Sequence, residues 1–352
     1  MAQRSSHSPL FAADAVSESR ASGRSAAADA LRPWLTTPAW LTLAAVLLFA
    51  GLFPTLAIQW QFWPFVFGMV FLGLPHGALD HLAPLFLLHK RVTPRYLVLF
   101  VLGYAALVVL YLLFWHVAPL AALVVFLLFS WLHWGQGDAY FLAVFRRQPR
   151  PRTMGGRFLI WAVRGGLPIL LPPLAHPAAF AQVAGGILGW YGSRVDWALS
   201  PVMRDAGLVV IGLAIAGYLW QSWTLSRTAF WRDAGEIVLL LVYFLVVPAI
   251  LAVGIYFCVW HAARHIARLM LLDDADQTAL TRGQIGRCVV HSAVQALPMT
   301  LGALGFLAAL WWWQGKAHVG VENFVFLYLS LIAALTFPHF LLVLWMDRKE
   351  LG

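Results

Sequence analysis

Long apolar stretches separated by short basic punctuation run from Ala39 to Trp345. A helix needs about 20 mainly apolar residues to cross the hydrocarbon core of a bilayer. Stretches of that kind fall at 39–58, 61–88, 95–117, 119–145, 157–174, 206–224, 236–262, 288–313 and 321–345. The stretch 178–192 is shorter and richer in glycine, and reads as a tenth crossing or a re-entrant piece. No long polar linker interrupts the series, so residues 33–352 read as one domain. The pattern predicts an all-α integral membrane protein, a polytopic bundle of eight to ten transmembrane helices. Residues 1–32 are rich in Ala, Ser and Arg and hold no apolar run; they read as a disordered cytoplasmic tail and not as a cleavable signal peptide.

Composition agrees with that pattern. Of 352 residues, 61% are hydrophobic and 11% charged, where a soluble domain carries about 25% charged residues. A chain so poor in charge cannot clothe its own surface in polar groups, and lipid removes that requirement. The net charge of +9 changes the picture only through its placement. The basic residues stand in short runs between apolar segments, as in His89-Lys90-Arg91, Arg146-Arg147, and Arg150 with Arg152. That distribution fits the positive-inside rule and argues against nucleic acid as a partner. With ten crossings and a cytoplasmic N-terminus, the outer side keeps only Arg227, Arg232 and Lys316, so a multi-pass protein of the cell membrane is expected, with Trp311, Trp312 and Trp313 at the outer interface. Cys258 and Cys288 lie in or beside apolar segments, without a CxxC pair, which argues against zinc-thiolate and iron–sulfur chemistry.

Candidate chemistry rests on histidine. In the ten-crossing topology seven of the twelve histidines, His76, His81, His133, His261, His265, His291 and His339, fall in one half of the membrane or at its edge. Polar groups at membrane depth are costly and usually functional. One such histidine is commonly a hydrogen-bonded packing residue, but seven at one level call for a shared partner, and neutral imidazole is a strong ligand for iron, copper and zinc. His261 and His265 are spaced i, i+4, which puts them on one helical face about 6 Å apart. His133 is followed by Gly135 and Gly137, small enough for close helix approach. Asp80, at i+4 from His76, is placed to orient that imidazole. His81 would lie about 140° around a regular helix from His76, so the two do not readily share one ion. Arg164 inside the fifth span either snorkels or pairs with Asp138.

The run Gly73-Leu74-Pro75-His76-Gly77-Ala78-Leu79-Asp80-His81 resembles the signature of the Brp/Blh family of bacterial and archaeal membrane proteins. Trp131-Leu132-His133-Trp134-Gly135, Trp260-His261-Ala262-Ala263-Arg264-His265 and Pro338-His339 fit the same family in the same order, over about residues 60–345. The resemblance implies a beta-carotene 15,15'-dioxygenase: cleavage of the central double bond of beta-carotene by O2 to give retinal. It also implies a non-haem Fe2+ held by His76, His133, His261 and His265, with Asp80, His81, His291 and His339 as supporting or alternative ligands. The partners implied are a carotenoid, O2 and the lipid bilayer, with a functional link to a retinal-binding opsin. An apolar substrate offers no polar handle, so recognition falls to the shape of an apolar tunnel, and no nucleotide fingerprint is present. A membrane di-iron hydroxylase or desaturase would show adjacent His-His pairs, which this chain lacks. A bis-His haem would leave the i, i+4 pair unexplained. A transporter, or a retinal- or carotenoid-binding protein, is the non-enzymatic alternative. The chain cannot itself be an opsin, because Lys90, Lys316 and Lys349 are its only lysines and none lies inside a span.

Overall fold

The computed structural model describes residues 9–193, 200–313 and 320–351. His7, Arg194, Lys316 and His318 lie outside the described residues. The chain runs through α1 (Pro9–Leu52), α2 (Pro54–Trp60), α3 (Phe62–Ala78), α4 (Ala83–Leu87), α5 (Pro94–Val117), α6 (Pro119–Val144) and α7 (Met154–Ala175). It continues through α8 (Pro177–Trp190), α9 (Pro201–Leu225), α10 (Arg227–Val246), α11 (Ala249–Met270), α12 (Asp274–Thr281), α13 (Ile285–Trp313) and α14 (Val321–Glu350). Among the described residues there is no strand. Within those residues eight helices are long and apolar enough to cross a membrane, and α2 with α3, bent by 50° at their junction, would make a ninth. Their outer faces carry large apolar side chains such as Leu102, Leu113, Val210 and Trp220, which suit contact with lipid tails.

Prolines explain where the helices depart from the apolar pattern. The stretch 236–262 is two helices: α10 ends at Val246, Val247 is extended (φ −78°, ψ 135°) and α11 starts after Pro248. Proline disfavours the α conformation in the residue before it and has no N–H to donate. The stretch 39–58 divides in the same way at Phe53 (φ −131°) before Pro54. The stretch 61–88 does not continue as one helix, because the chain turns at Leu79–Leu82 between α3 and α4. The stretch 178–192 is a helix of 14 residues, short of the length that spans a bilayer. Residues 22–32 correct the reading of a disordered tail. They are helical, and Ala27, Ala28 and Leu31 are buried in a core shared with Phe145, Met270, Leu271 and Leu280. Arg24 explains the anchoring, since it reaches Tyr140 at 2.6 Å and pairs with Glu350.

The core forms where α3, α6, α7, α10, α11 and α14 meet. Close crossings depend on missing side chains. A Cβ on Gly135 would sit 2.3 Å from the Trp161 carbonyl oxygen, and one on Gly165 would sit 2.0 Å from that of Trp131. Only glycine at both positions lets the α6 and α7 backbones touch. This contact fixes the height of His133 on α6 relative to Arg164 on α7.

Candidate metal centre

Five histidines from four helices converge inside the bundle. His76 comes from the last turn of α3, His133 from α6, His261 and His265 from α11, and His339 from α14. All five are buried. The ring of His133 lies 4.7 Å from that of His261 and 4.6 Å from that of His339, centroid to centroid. His339 is 4.9 Å from both His76 and His265. Local backbone aims these rings. A π-helical turn at Met69–Gly73 directly precedes the His76 turn, and a second, Phe257–Ala262, contains His261. Such turns are rare and gather at functional sites. Gly137 leaves room for the His261 ring, whose Cε1 would stand 3.4 Å from any added Cβ.

Hydrogen bonds set the tautomers. His76 Nδ1 donates to the Gly73 carbonyl oxygen. His339 Nδ1 donates to the Asp80 carboxylate, with both oxygens within 2.9 Å. A neutral imidazole carries one N–H, so Nε2 of each of these rings presents a lone pair. His133 Nε2 sits 3.0 Å from His261 Nε2 and 3.1 Å from His339 Nε2. A single N–H there can satisfy one of these neighbours in line, not both. His133 Nδ1 and His265 Nε2 are buried without a hydrogen-bond partner. The ligand atoms of His76, His133 and His339 lie within 4.8 Å of one another, and those of Asp80, His265 and His339 form a second such group. Buried polar atoms are rarely left unsatisfied, and lone pairs crowded this closely repel unless a cation lies between them. The donor set therefore fits a metal ion.

Asp80 serves a different ring from the one its spacing suggests. The i+4 relation to His76 assumes a continuous helix, but α3 ends at Ala78 and Leu79 has ψ near −5°. The turn swings Asp80 toward α14, where it holds His339 and accepts a hydrogen bond from the Tyr104 hydroxyl at 3.0 Å. Carboxylate–histidine pairs of this kind orient metal ligands. His81 stands in the same turn and lines the cavity beside the cluster, its Nδ1 bonded to the Ala78 carbonyl at 2.9 Å. His291 lies apart from the cluster. Its Nδ1 donates to Asp276 at 2.9 Å, and its Nε2 accepts from Gln295 at 3.1 Å. Burial holds the Asp276 carboxyl above its usual range, against the pull of His291.

A cavity of about 500 Å³ adjoins the cluster, a size typical of small-molecule sites. Its wall includes His76, His133 and His339 and is otherwise almost wholly apolar, with Phe65, Phe126, Phe180 and Phe257 among its rings. Tyr104, Ser130 and Thr336 supply hydroxyl-bearing side chains.

A second polar cluster abuts the first, built largely of residues that periodicity alone did not single out. Arg164, fully buried, pairs with Asp233 at 2.8 Å and Glu236 at 2.5 Å, and stands 3.5 Å from Asp138. Arg264 pairs with Asp138 at 2.6 Å, and Arg146 pairs with Glu236. Tyr218, Ser222, Gln148 and the Trp40 and Trp260 indoles add hydrogen bonds to the carboxylates, while Arg264 Nε and Nη2 have no hydrogen-bond partner. Three guanidinium groups thus face three carboxylates. The sequence signal for the cluster is Arg164 itself, a cation in an apolar span that needs acidic partners.

A family model described as beta-carotene 15,15'-dioxygenase matches residues 67–347. A Halobacterium salinarum protein named probable beta-carotene 15,15'-dioxygenase Blh is 37% identical over 323 residues, covering 88% of this chain and 91% of its own. The Brp protein of the same organism, likewise named a probable beta-carotene 15,15'-dioxygenase, is 28% identical and covers 81% and 83%. The beta-carotene 15,15'-dioxygenase of uncultured marine bacterium 66A03 is 22% identical and covers 80% and 92%. No solved structure matches the chain.

Proposed function

Because the chain belongs to the beta-carotene 15,15'-dioxygenase family, we propose that it cleaves beta-carotene, or a close carotenoid, at the central double bond with O2 to give retinal. We propose further that Fe2+ is held by His76, His133, His261 and His265, joined by His339. The observation that carries this reading is the close grouping of the His76, His133 and His339 ligand atoms in the wall of an apolar cavity, with His261 Nε2 3.0 Å behind His133 Nε2.

The donor chemistry favours the metal's class: neutral imidazoles without a thiolate suit iron, and a reaction with O2 calls for a redox-active ion. Bound there, ferrous iron would supply a site for O2 activation. The protein's own residues do the rest. Asp80 holds the His339 tautomer with Nε2 facing inward. The neutral donor set adds no negative charge at the ion, and the apolar wall excludes water from the reacting alkene. A hydrocarbon substrate dissolves in the same bilayer that surrounds the helices, which suits a membrane-embedded enzyme. Both oxygen atoms enter product, so no nicotinamide or flavin is required.

The test is expression in a beta-carotene-producing bacterial host beside the His133→Ala variant, with retinal assayed in extracts and iron measured in the purified proteins. Retinal and bound iron in the unaltered protein, with both lost in the variant, are expected. Intact carotene beside a folded, iron-loaded protein would remove beta-carotene as the substrate. Retinal formed at the normal rate by an iron-free protein would remove the metal assignment.

A further inference from the structure

The cavity wall is not closed by buried residues alone. On α5 it includes Val101, Ala105 and Val109, which recur every four residues, and Val101 and Val109 are 41% and 52% exposed. On α13 it includes Gly302 and Phe306, and Phe306 is 41% exposed. A side chain that both lines a cavity and faces outward marks a place where the cavity meets the surface. These two helices are the apolar spans Pro94–Val117 and Ile285–Trp312, so the surface in question faces lipid.

The two edges are not neighbours. α5 packs on α14 and α6, whereas α13 packs on α3, α12 and α14. What joins them is α14. Its residues Leu329, Ile332, Thr336 and His339, spaced three, four and three apart, line the cavity in one helical stripe. At 1.5 Å per residue that stripe is about 15 Å long. It ends on a histidine of the proposed metal centre, and the wall away from that centre is apolar.

We infer that the cavity is a passage beneath α14, open to the bilayer at the α5 edge and at the α13 edge. A long hydrocarbon slides in sideways from the lipid and lies with one arm toward each mouth. This rests on the carotenoid-cleaving reading and adds what positions the scissile bond. With no polar contact to the chain's ends, the bond cut is the one that stands at the histidines when both arms are housed. Equal arms give central cleavage.

Two tryptophans test the passage, one at each mouth. Gly302 has open space where its Cβ would be, so Gly302→Trp plugs the α13 mouth without displacing a neighbour. Ala105→Trp plugs the exposed α5 edge. Gly305→Trp is the control. Gly305 lies on the same helix and also has open space about its Cβ, but it is not in the cavity wall. Each full-length protein is placed in phosphatidylcholine vesicles with beta-carotene, and iron content, carotenoid uptake and retinal formation are measured. Each plug should lower uptake and turnover at least tenfold with iron content unchanged, while the control keeps the unaltered rate. A carotenoid shortened at one end should still be cleaved by a singly plugged protein. Unaltered turnover in either plugged protein would overturn the two-mouth passage and leave the carotenoid-cleaving reading intact. An equal fall in Gly305→Trp would also overturn it, because the effect would then come from the helix. If the unaltered, iron-loaded protein takes up no beta-carotene, both readings fall together.

Discussion

Two polar clusters share the interior of this bundle, and they differ in what satisfies them. Around Arg164, three guanidinium groups meet three carboxylates, so the charges balance, and tyrosine, serine, glutamine and indole donors add hydrogen bonds, with only Arg264 Nε and Nη2 left without one. Around His133, five imidazoles meet one another, and two of their nitrogens have no partner. α6 and α11 serve both clusters, through His133 with Asp138 and through His261 with Arg264. The same helices therefore build one cluster that is electrically closed and one that is left open. Closure marks a structural role, because the protein alone balances its charges there. The open cluster requires something from outside the chain.

The widest break in this contrast comes from His133→Ala, which removes the ring that touches both other nitrogens. Loss of retinal formation by more than a hundredfold is expected, with loss of bound iron read by elemental analysis, while the melting temperature of the metal-free protein hardly moves. Arg164→Met acts on the closed cluster and should do the reverse. Stripping one partner from a buried ion network costs about 3–5 kcal/mol, so folded yield and thermal stability in detergent should fall. The fraction that remains folded should still load iron. A stable Arg164→Met protein without iron would show that the two clusters are not separable.

Asp80→Asn comes next. The amide can keep contact with His339 but no longer enforces its tautomer, and supporting partners of this kind are worth about 10–100-fold in metal affinity. Chelator competition should show a loss in that range. Tyr104→Phe, which removes one hydroxyl from Asp80, should shift the same competition only a few-fold, in keeping with about 0.5–1.5 kcal/mol for one hydrogen bond. A Tyr104→Phe effect as large as that of Asp80→Asn would place the tyrosine nearer the metal than Asp80's intermediary position implies.

The open cluster was more legible in the sequence than the closed one, for physical reasons. Histidine at membrane depth is conspicuous, and four of the five rings stand in short motifs around His76, His133 and the pair on α11. His339 could not be ranked, because no neighbour in sequence orients it; its acidic partner lies 259 positions away. His291 looked equivalent by depth, yet Asp276 and Gln295 occupy both of its nitrogens. For the closed cluster Arg164 announced itself, with Asp138 as a candidate partner that stands 3.5 Å from it. Asp233 and Glu236 stand at the start of α10, where they read as the polar margin of a span until Pro248 is allowed to split the segment. The N-terminal residues misled through composition: Ala and Ser are common in disordered tails, and here the alanines are small enough to pack against α12.

The π-helical turn Phe257–Ala262 also has a bearing on deletion and insertion. A widened turn accommodates one residue more than the regular helix would, and one residue corresponds to about 100° of rotation. Removing a single residue from this turn would let the helix rewind and carry everything beyond it around by that angle. Arg264 and His265 would leave their clusters together while the helix itself stayed intact. The length of this one turn sets the phase of α11, so a reading frame of histidine spacings along it holds only as long as that extra residue is kept.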